Sequence, residues 1–94
     1  MSSDNIRAHV IVHGKVQGVF FRYETKQAAI ARGVSGWVRN LPDGTVEGVF
    51  EGPEESVKSL LAWCRQGPPE SRVDKVDTDW LTAEGEFDGF RIRY

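Results

Sequence analysis

The stretch GKVQGVFFR runs from Gly14 to Arg22 and carries two glycines but no acid, thiol or hydroxyl. An arginine presents five fixed N–H donors and a permanent charge, which suits the oxygens of a phosphoryl group. A loop leading from a strand into a helix points successive backbone N–H groups at one place, where the helix dipole also favours an anion. Gly14 and Gly18 would let such a loop turn sharply and come close to a ligand. In the first helical turn the Arg22 side chain leans back toward the N-terminus and reaches whatever the loop holds. The same residues also suit a tight turn followed by a solvated helix start, and their types alone do not separate the two roles.

Absences narrow the chemistry. The Walker pattern G-x-x-x-x-G-K-[ST] is missing: Lys15 precedes the loop, and Val19 and Phe20 follow its second glycine, so no hydroxyl is set for magnesium. A cysteine phosphatase needs its thiol inside the loop, whereas Cys64 falls in an apolar helical stripe and reads as a small buried hydrophobe. His9 and His13 share one strand face, but four residues of strand span about 13 Å, too far for one metal, so both read as surface histidines. Asp74, Asp77 and Asp79 match no calcium-loop spacing and read as a solvated face. Trp37, Trp63 and Trp80 read as core or packing residues.

A phosphate cradle with no nucleophile, metal or acid can hydrolyse only a substrate whose leaving group departs without protonation. A carboxylate is such a group, so mixed carboxylic–phosphoric anhydrides fit better than ordinary phosphate monoesters. The protein then has to supply charge stabilisation and a positioned water. Asn40 has the right chemistry to hold that water. It has equally the right chemistry to cap the turn NLPDG through its side-chain oxygen.

The elements that would position these groups follow from periodicity. Residues 6–13 alternate, with Ile6, Ala8, Val10 and Val12 on one face and Arg7, His9, Ile11 and His13 on the other, as in a half-buried strand. Phe21, Thr25, Ala28 and Ala29 recur at helical spacing, and Gly33 follows as a C-terminal cap, which predicts a helix over 22–32. VSGWVRN and TVEGVFE flank the turn residues Pro42, Asp43 and Gly44, predicting a hairpin over 34–51. Gly52 and Pro53 open a second helix with the stripe Val57, Leu60, Leu61 and Cys64, stopped by Gly67, Pro68 and Pro69. Val76, Thr78 and Trp80 alternate in a further strand, and Phe90, Ile92 and Tyr94 in a short last one. The order predicts an α+β, ferredoxin-like βαββαβ sandwich: a mostly antiparallel sheet of four or five strands with two helices on one face. The crossover makes the first two strands parallel, which places Asn40 at the same sheet edge as the glycine loop.

Composition sets the frame. At 94 residues, 39% hydrophobic and 28% charged, the chain suits one small domain over residues 1–94. No stretch approaches the roughly 20 apolar residues of a membrane span, and MSSDNIRAHV lacks the pattern of a signal peptide. A single cysteine agrees with a reducing compartment, so a cytoplasmic protein is expected. A net charge of −2 gives no general attraction to nucleic acid or acidic membranes.

HGKVQGVFFR and GWVRNLPDGTVEGVFEG together resemble the two signature segments of the acylphosphatases, and size, element order and the ending GFRIRY are similar to that family. The resemblance spans essentially the whole chain. It implies a ferredoxin-like sandwich that hydrolyses acyl phosphates to a carboxylate and inorganic phosphate, with no cofactor, metal or covalent intermediate. It implies that Arg22 binds the phosphoryl group and Asn40 orients the attacking water. The backbone amides of Gln17, Gly18, Val19, Phe20 and Phe21 would complete the cradle. The partners implied are the small acyl phosphate and inorganic phosphate, with no nucleic acid or membrane, and a monomer is expected. Two other classes share features with this chain. An RNA-recognition module uses the same fold, but its K/R-G-F/Y-G/A-F-V-x-F/Y strand is absent. A regulatory phosphate sensor that binds without turnover is disfavoured by an intact Asn40.

Overall fold

The structure, a computed structural model, describes residues 4–94. Met1, Ser2 and Ser3, which begin the segment tested above for a signal peptide, lie outside the described residues. The order is β1 (Asn5–Lys15), α1 (Phe21–Ala31), β2 (Ser35–Asn40), β3 (Val46–Pro53), α2 (Glu54–Gln66), β4 (Arg72–Thr82) and β5 (Phe90–Arg93). One five-stranded sheet contains all the strands in the order β4-β1-β3-β2-β5. β1 pairs antiparallel with β3 and β4, β2 antiparallel with β3, and β5 adds parallel to β2. The expected βαββαβ unit is therefore present, with β5 as an extra edge strand. Among the described residues no helix is long and apolar enough to cross a membrane.

Both helices pack on one face. Alternation along β1 turns Ala8, Val10 and Val12 toward them, joined by Val38 of β2 and by Val46 and Phe50 of β3. α1 contributes Phe21, Ala28 and Ala29, and α2 contributes Val57, Leu60, Leu61 and Cys64. Each fully buried valine or leucine adds about 1.5–3 kcal/mol relative to exposure. Burial pushes the Cys64 thiol up to about 12, so it is inert, as the apolar stripe predicts. α1 ends where Gly33 N–H reaches Ile30 O and Val34 N–H reaches Ala29 O, the paired bonds of a Schellman cap.

Three sequence expectations need correction. Gly14 is not a loop residue shaped for a ligand. It lies within β1 at φ 128, beside a register shift in the pairing with β4, and a Cβ there would collide with the carbonyl oxygen of Arg72. Its small size serves the approach of two strands. Trp80, read as a packing residue, is 51% exposed on the edge strand β4, where it lines an open pocket with Ile6, Glu54 and Lys58. Trp37 packs on the far face of the sheet, under the guanidinium groups of Arg39 and Arg93, while Trp63 meets Phe21 in the core at 5.9 Å.

The third correction concerns Arg7, which alternation places on the polar face but which is only 8% exposed. Its register partner across β3 is Glu51, 3% exposed, and Arg7 Nε donates to Glu51 Oε1 at 2.7 Å. Residues 83–89 cross over this pair. Gly85 N–H donates to Glu51 Oε2 at 2.7 Å and Glu84 N–H to Oε1 at 3.3 Å, Arg7 reaches Glu86 at 2.6 Å, and the guanidinium lies 4.6 Å from the centre of the Phe87 ring. The strap delivers the chain to β5, which starts where Gly89 O accepts the N–H of Gly36. Burial raises the Glu51 carboxyl, but the bonds from Arg7, Gly85 and Glu84 and the charge of Arg7 outweigh it and hold it below the ordinary carboxylate range.

A depressed carboxyl contributes stability above its unfolded value of about 4.3 and loses it as pH falls through the lower folded value. Glu51→Gln should therefore cost about 3 kcal/mol at pH 7 by leaving Arg7 without its buried partner. Urea unfolding at pH 7 and pH 3 should show that difference shrinking in acid. An equal difference at both pH values would mean that the Glu51 charge is not what holds the strap.

Candidate active site

β1, β2 and β5 run in the same direction, so their carboxyl ends leave the sheet at one edge, the usual place for a ligand in such architectures. A pocket of about 360 Å³ opens there. The loop after β1 and the start of α1 line it with Gly18, Phe20, Arg22 and Tyr23, the end of β2 with Asn40, and β5 with Ile92 and Tyr94.

Alternation fixes the loop. Val16, Val19 and Phe21 are sunk in the core and anchor it, while Gly18 and Phe20 stand outside. Gly18 and Phe20 both have positive φ, 74 and 62, with Val19 between them. Positive φ at every second residue turns neighbouring amides toward one side and makes a concave nest for an anion. The N–H groups of Gln17, Gly18, Val19 and Phe20 donate no hydrogen bond within the described residues. Phe20 is the N-cap of α1 and makes no side-chain cap, which leaves the helix N-terminus open toward the pocket. A bulky residue in this left-handed region costs roughly 1–3 kcal/mol.

The Gln17 side chain does not line the pocket. Nε2 donates to Leu41 O and Thr45 O, both at 2.8 Å, and ties the loop to the turn that follows Asn40. That turn is capped by Asp43. Its Oδ1 accepts from the Thr45 hydroxyl at 2.6 Å and the Thr45 N–H at 3.0 Å, and those two bonds hold the Asp43 carboxyl below its ordinary value. Asn40 is therefore not the cap. Its Oδ1 is buried and has no hydrogen-bond partner among the described residues, an arrangement that costs about 1–3 kcal/mol unless something donates to it.

Arg22 is the second residue of α1, makes no salt bridge among the described residues, and stands over the Tyr94 ring at 5.0 Å. Arg22 lines the same pocket as Asn40. Of the residues singled out in the sequence, Gly18, Phe20, Phe21, Arg22 and Asn40 thus line one pocket, whereas the Gln17 and Val19 side chains brace and anchor. Lys15, His9, His13 and Cys64 do not line it. His9 pairs with Glu47 at 2.7 Å and His13 with Asp77 at 2.9 Å. Sequence reasoning missed the Gln17 brace, Tyr23, Ile92 and Tyr94. The lone side-chain amide in an apolar loop was a usable signal for the first.

Comparison with known proteins agrees with this geometry. The family model described as Acylphosphatase matches residues 8–92. The chain belongs to the acylphosphatase family. It is 58% identical over 88 residues to an acylphosphatase of Pelotomaculum thermopropionicum, covering 94% of this chain and 96% of that one. An acylphosphatase of Natronomonas pharaonis is 55% identical over 91 residues, covering 97% and 98%. The crystal structure of acylphosphatase from Bacillus subtilis superposes with a TM-score of 0.91 at 36% identity, covering 95% of this chain and 99% of that one. As an acylphosphatase the chain is a hydrolase acting on acid anhydrides, and its substrates are acyl phosphates.

The acylphosphatase loop should act as an anion site in the absence of any substrate. A ligand that binds only the native state adds about 2.7 kcal/mol at a hundredfold excess over its Kd, so millimolar phosphate should raise the melting temperature while chloride at equal ionic strength does not. At Gly18 no protein atom lies within 4 Å of an added Cβ, so Gly18→Val meets only the strain of φ 74 and the space of the ligand. Its melt should lose most of the phosphate shift. An equal shift in both proteins would reduce the loop to a turn.

Proposed function

We propose that Arg22 and the backbone amides of Gln17, Gly18, Val19, Phe20 and Phe21 hold the phosphoryl group while Asn40 orients the attacking water. The observation that carries this is that Arg22, which makes no salt bridge among the described residues, and Asn40, whose buried Oδ1 has no partner among them, line the same pocket. An acceptor of that kind receives a hydrogen bond from a water and so aims the water's lone pair at phosphorus. The water oxygen forms a bond to phosphorus, the bond from phosphorus to the acyl oxygen breaks, and its electron pair leaves on the carboxylate. The proton that the water gives up ends on inorganic phosphate or in solvent. No acid is needed, because the leaving carboxylate is already stable as an anion.

Charge developing on the phosphoryl oxygens meets fixed donors, which require no reorganisation as the reaction proceeds. The side chains lining the pocket include no carboxylate, thiol or imidazole, a donor set suited to neither a covalent intermediate nor a resident metal. We infer further that residues 1–94 act as one domain and as a monomer in the cytoplasm, without nucleic-acid or membrane partners. The net charge of −2 and the solitary buried Cys64 support this.

Two variants separate the roles. Arg22→Ala should lower kcat/KM at least 100-fold, about the 3 kcal/mol of one preorganised donor, and weaken inhibition by inorganic phosphate as well. Asn40→Ala should lower kcat while leaving phosphate inhibition and the unfolding midpoint close to those of the parent. Near-normal turnover in either variant would remove that residue from the mechanism. The rate should be unchanged by a chelator, and a requirement for added magnesium would overturn the metal-free reaction.

A further inference from the structure

Phe20 carries a side chain that the fold does not use. It is 75% exposed, while its neighbours Val19 and Phe21 fill the core. Its φ of 62 makes it the only non-glycine residue with positive φ among the described residues. Glycine would adopt this conformation without strain and would expose no ring. A phenyl group kept where both backbone and solvent oppose it requires a reason outside folding.

The pocket supplies that reason. Six large hydrophobic side chains among the described residues are exposed, and three of them, Phe20, Tyr23 and Tyr94, line this single pocket. Phe20, the N-cap of α1, and Tyr23, in its first turn, both line this pocket. Between them in sequence lies Arg22, which lines it too. At about 360 Å³ the pocket has room for much more than a phosphoryl group, given that a water occupies about 30 Å³. On its other side Phe20 borders a shallower groove that carries Glu24 and Glu70, two carboxylates that repel an anionic substrate.

We propose that the side chains of Phe20 and Tyr23 form the subsite for the acyl group and make the enzyme select acyl phosphates with a planar aromatic or extended apolar acyl group over those with a small one. The proposal rests on the assignment of the cradle above and adds the specificity to it. With the phosphoryl group at Arg22 and Gly18, the acyl carbon is directed out of the cradle toward the two rings. An aromatic acyl group stacks on them and covers surface that is otherwise wet, whereas an acetyl group is too short to do so. Contacts that act equally on bound substrate and transition state, as stacking on the two rings would, appear in KM.

Steady-state kinetics with benzoyl phosphate and acetyl phosphate test this on the parent, Phe20→Gly and Tyr23→Ala. Glycine accepts the left-handed backbone, so Phe20→Gly removes the ring and leaves the turn that carries the amides. The ratio of kcat/KM for benzoyl over acetyl phosphate should fall about tenfold in each variant, through a raised KM for benzoyl phosphate. A loss shared equally by both substrates would report only a disturbed cradle, and an unchanged ratio in both variants overturns the subsite. If the parent turns over both substrates with equal kcat/KM, the subsite also fails while the hydrolytic function stands. Turnover of neither by the parent overturns the acyl phosphate reading itself, and the subsite with it.

Discussion

Two hydrogen bonds from one side-chain amide set the dimensions of this site. Gln17 Nε2 joins the loop after β1 to Leu41 O and Thr45 O in the turn after β2. β1 and β2 are not neighbours, since β3 lies between them, so the sheet alone leaves the two chain segments free to splay. The Gln17 amide spans the gap above the start of β3 and fixes Arg22 and Asn40 relative to one another. Both acceptors are carbonyl groups of a turn that Asp43 and Thr45 have already made rigid, so each bond has a stationary target.

Around this brace the local rules of folding are broken in a consistent direction. A phenylalanine occupies a left-handed position, a helix starts without a side-chain cap, and an asparagine oxygen is buried without a partner. Each departure costs on the order of 1–3 kcal/mol and each belongs to a residue that lines, or a helix that starts at, the same pocket. On the far face of the sheet the rules are obeyed with unusual care. The buried charges of Arg7 and Glu51 are paired, and Glu51 also accepts two backbone N–H groups. That face steadies the strap and hence β5, whose end forms one wall of the pocket, with Phe90 held 5.9 Å from Phe50 beneath it. Stability on one side of the sheet thus offsets strain at its edge.

Elements whose signal lies within a few residues were legible in the sequence. Alternation from Ile6 to Val12, the stripe from Val57 to Cys64 and the Pro42–Gly44 turn each fall on the element they predict. Placing Asn40 beside the glycine loop needed only the direction of a crossover. Features that depend on strand order were not legible. Nothing local says that β5 pairs with β2, which brings Ile92 and Tyr94 to the pocket, or that residues 83–89 cross Arg7 and bury it. Gly14 was misread for a related reason: its close neighbour, Arg72, lies on a strand that joins the sheet from far along the chain.

The position of β1 also bears on how the molecule is made. Ile6 pairs with Gly52 on one side and Thr82 on the other, so β1 is synthesised well before either partner, and its β4 neighbour comes later than its β3 neighbour. Long loops must close before either ladder forms, a high-contact-order topology that folds slowly. In the interval a nascent chain displays Val10, Ile11 and Val12 on a strand with two open edges, the kind of surface that chaperones recognise and that aggregates when crowded. The strand that leads into the loop of the candidate site is the one with the longest wait for its neighbours, so the site cannot form ahead of the sheet.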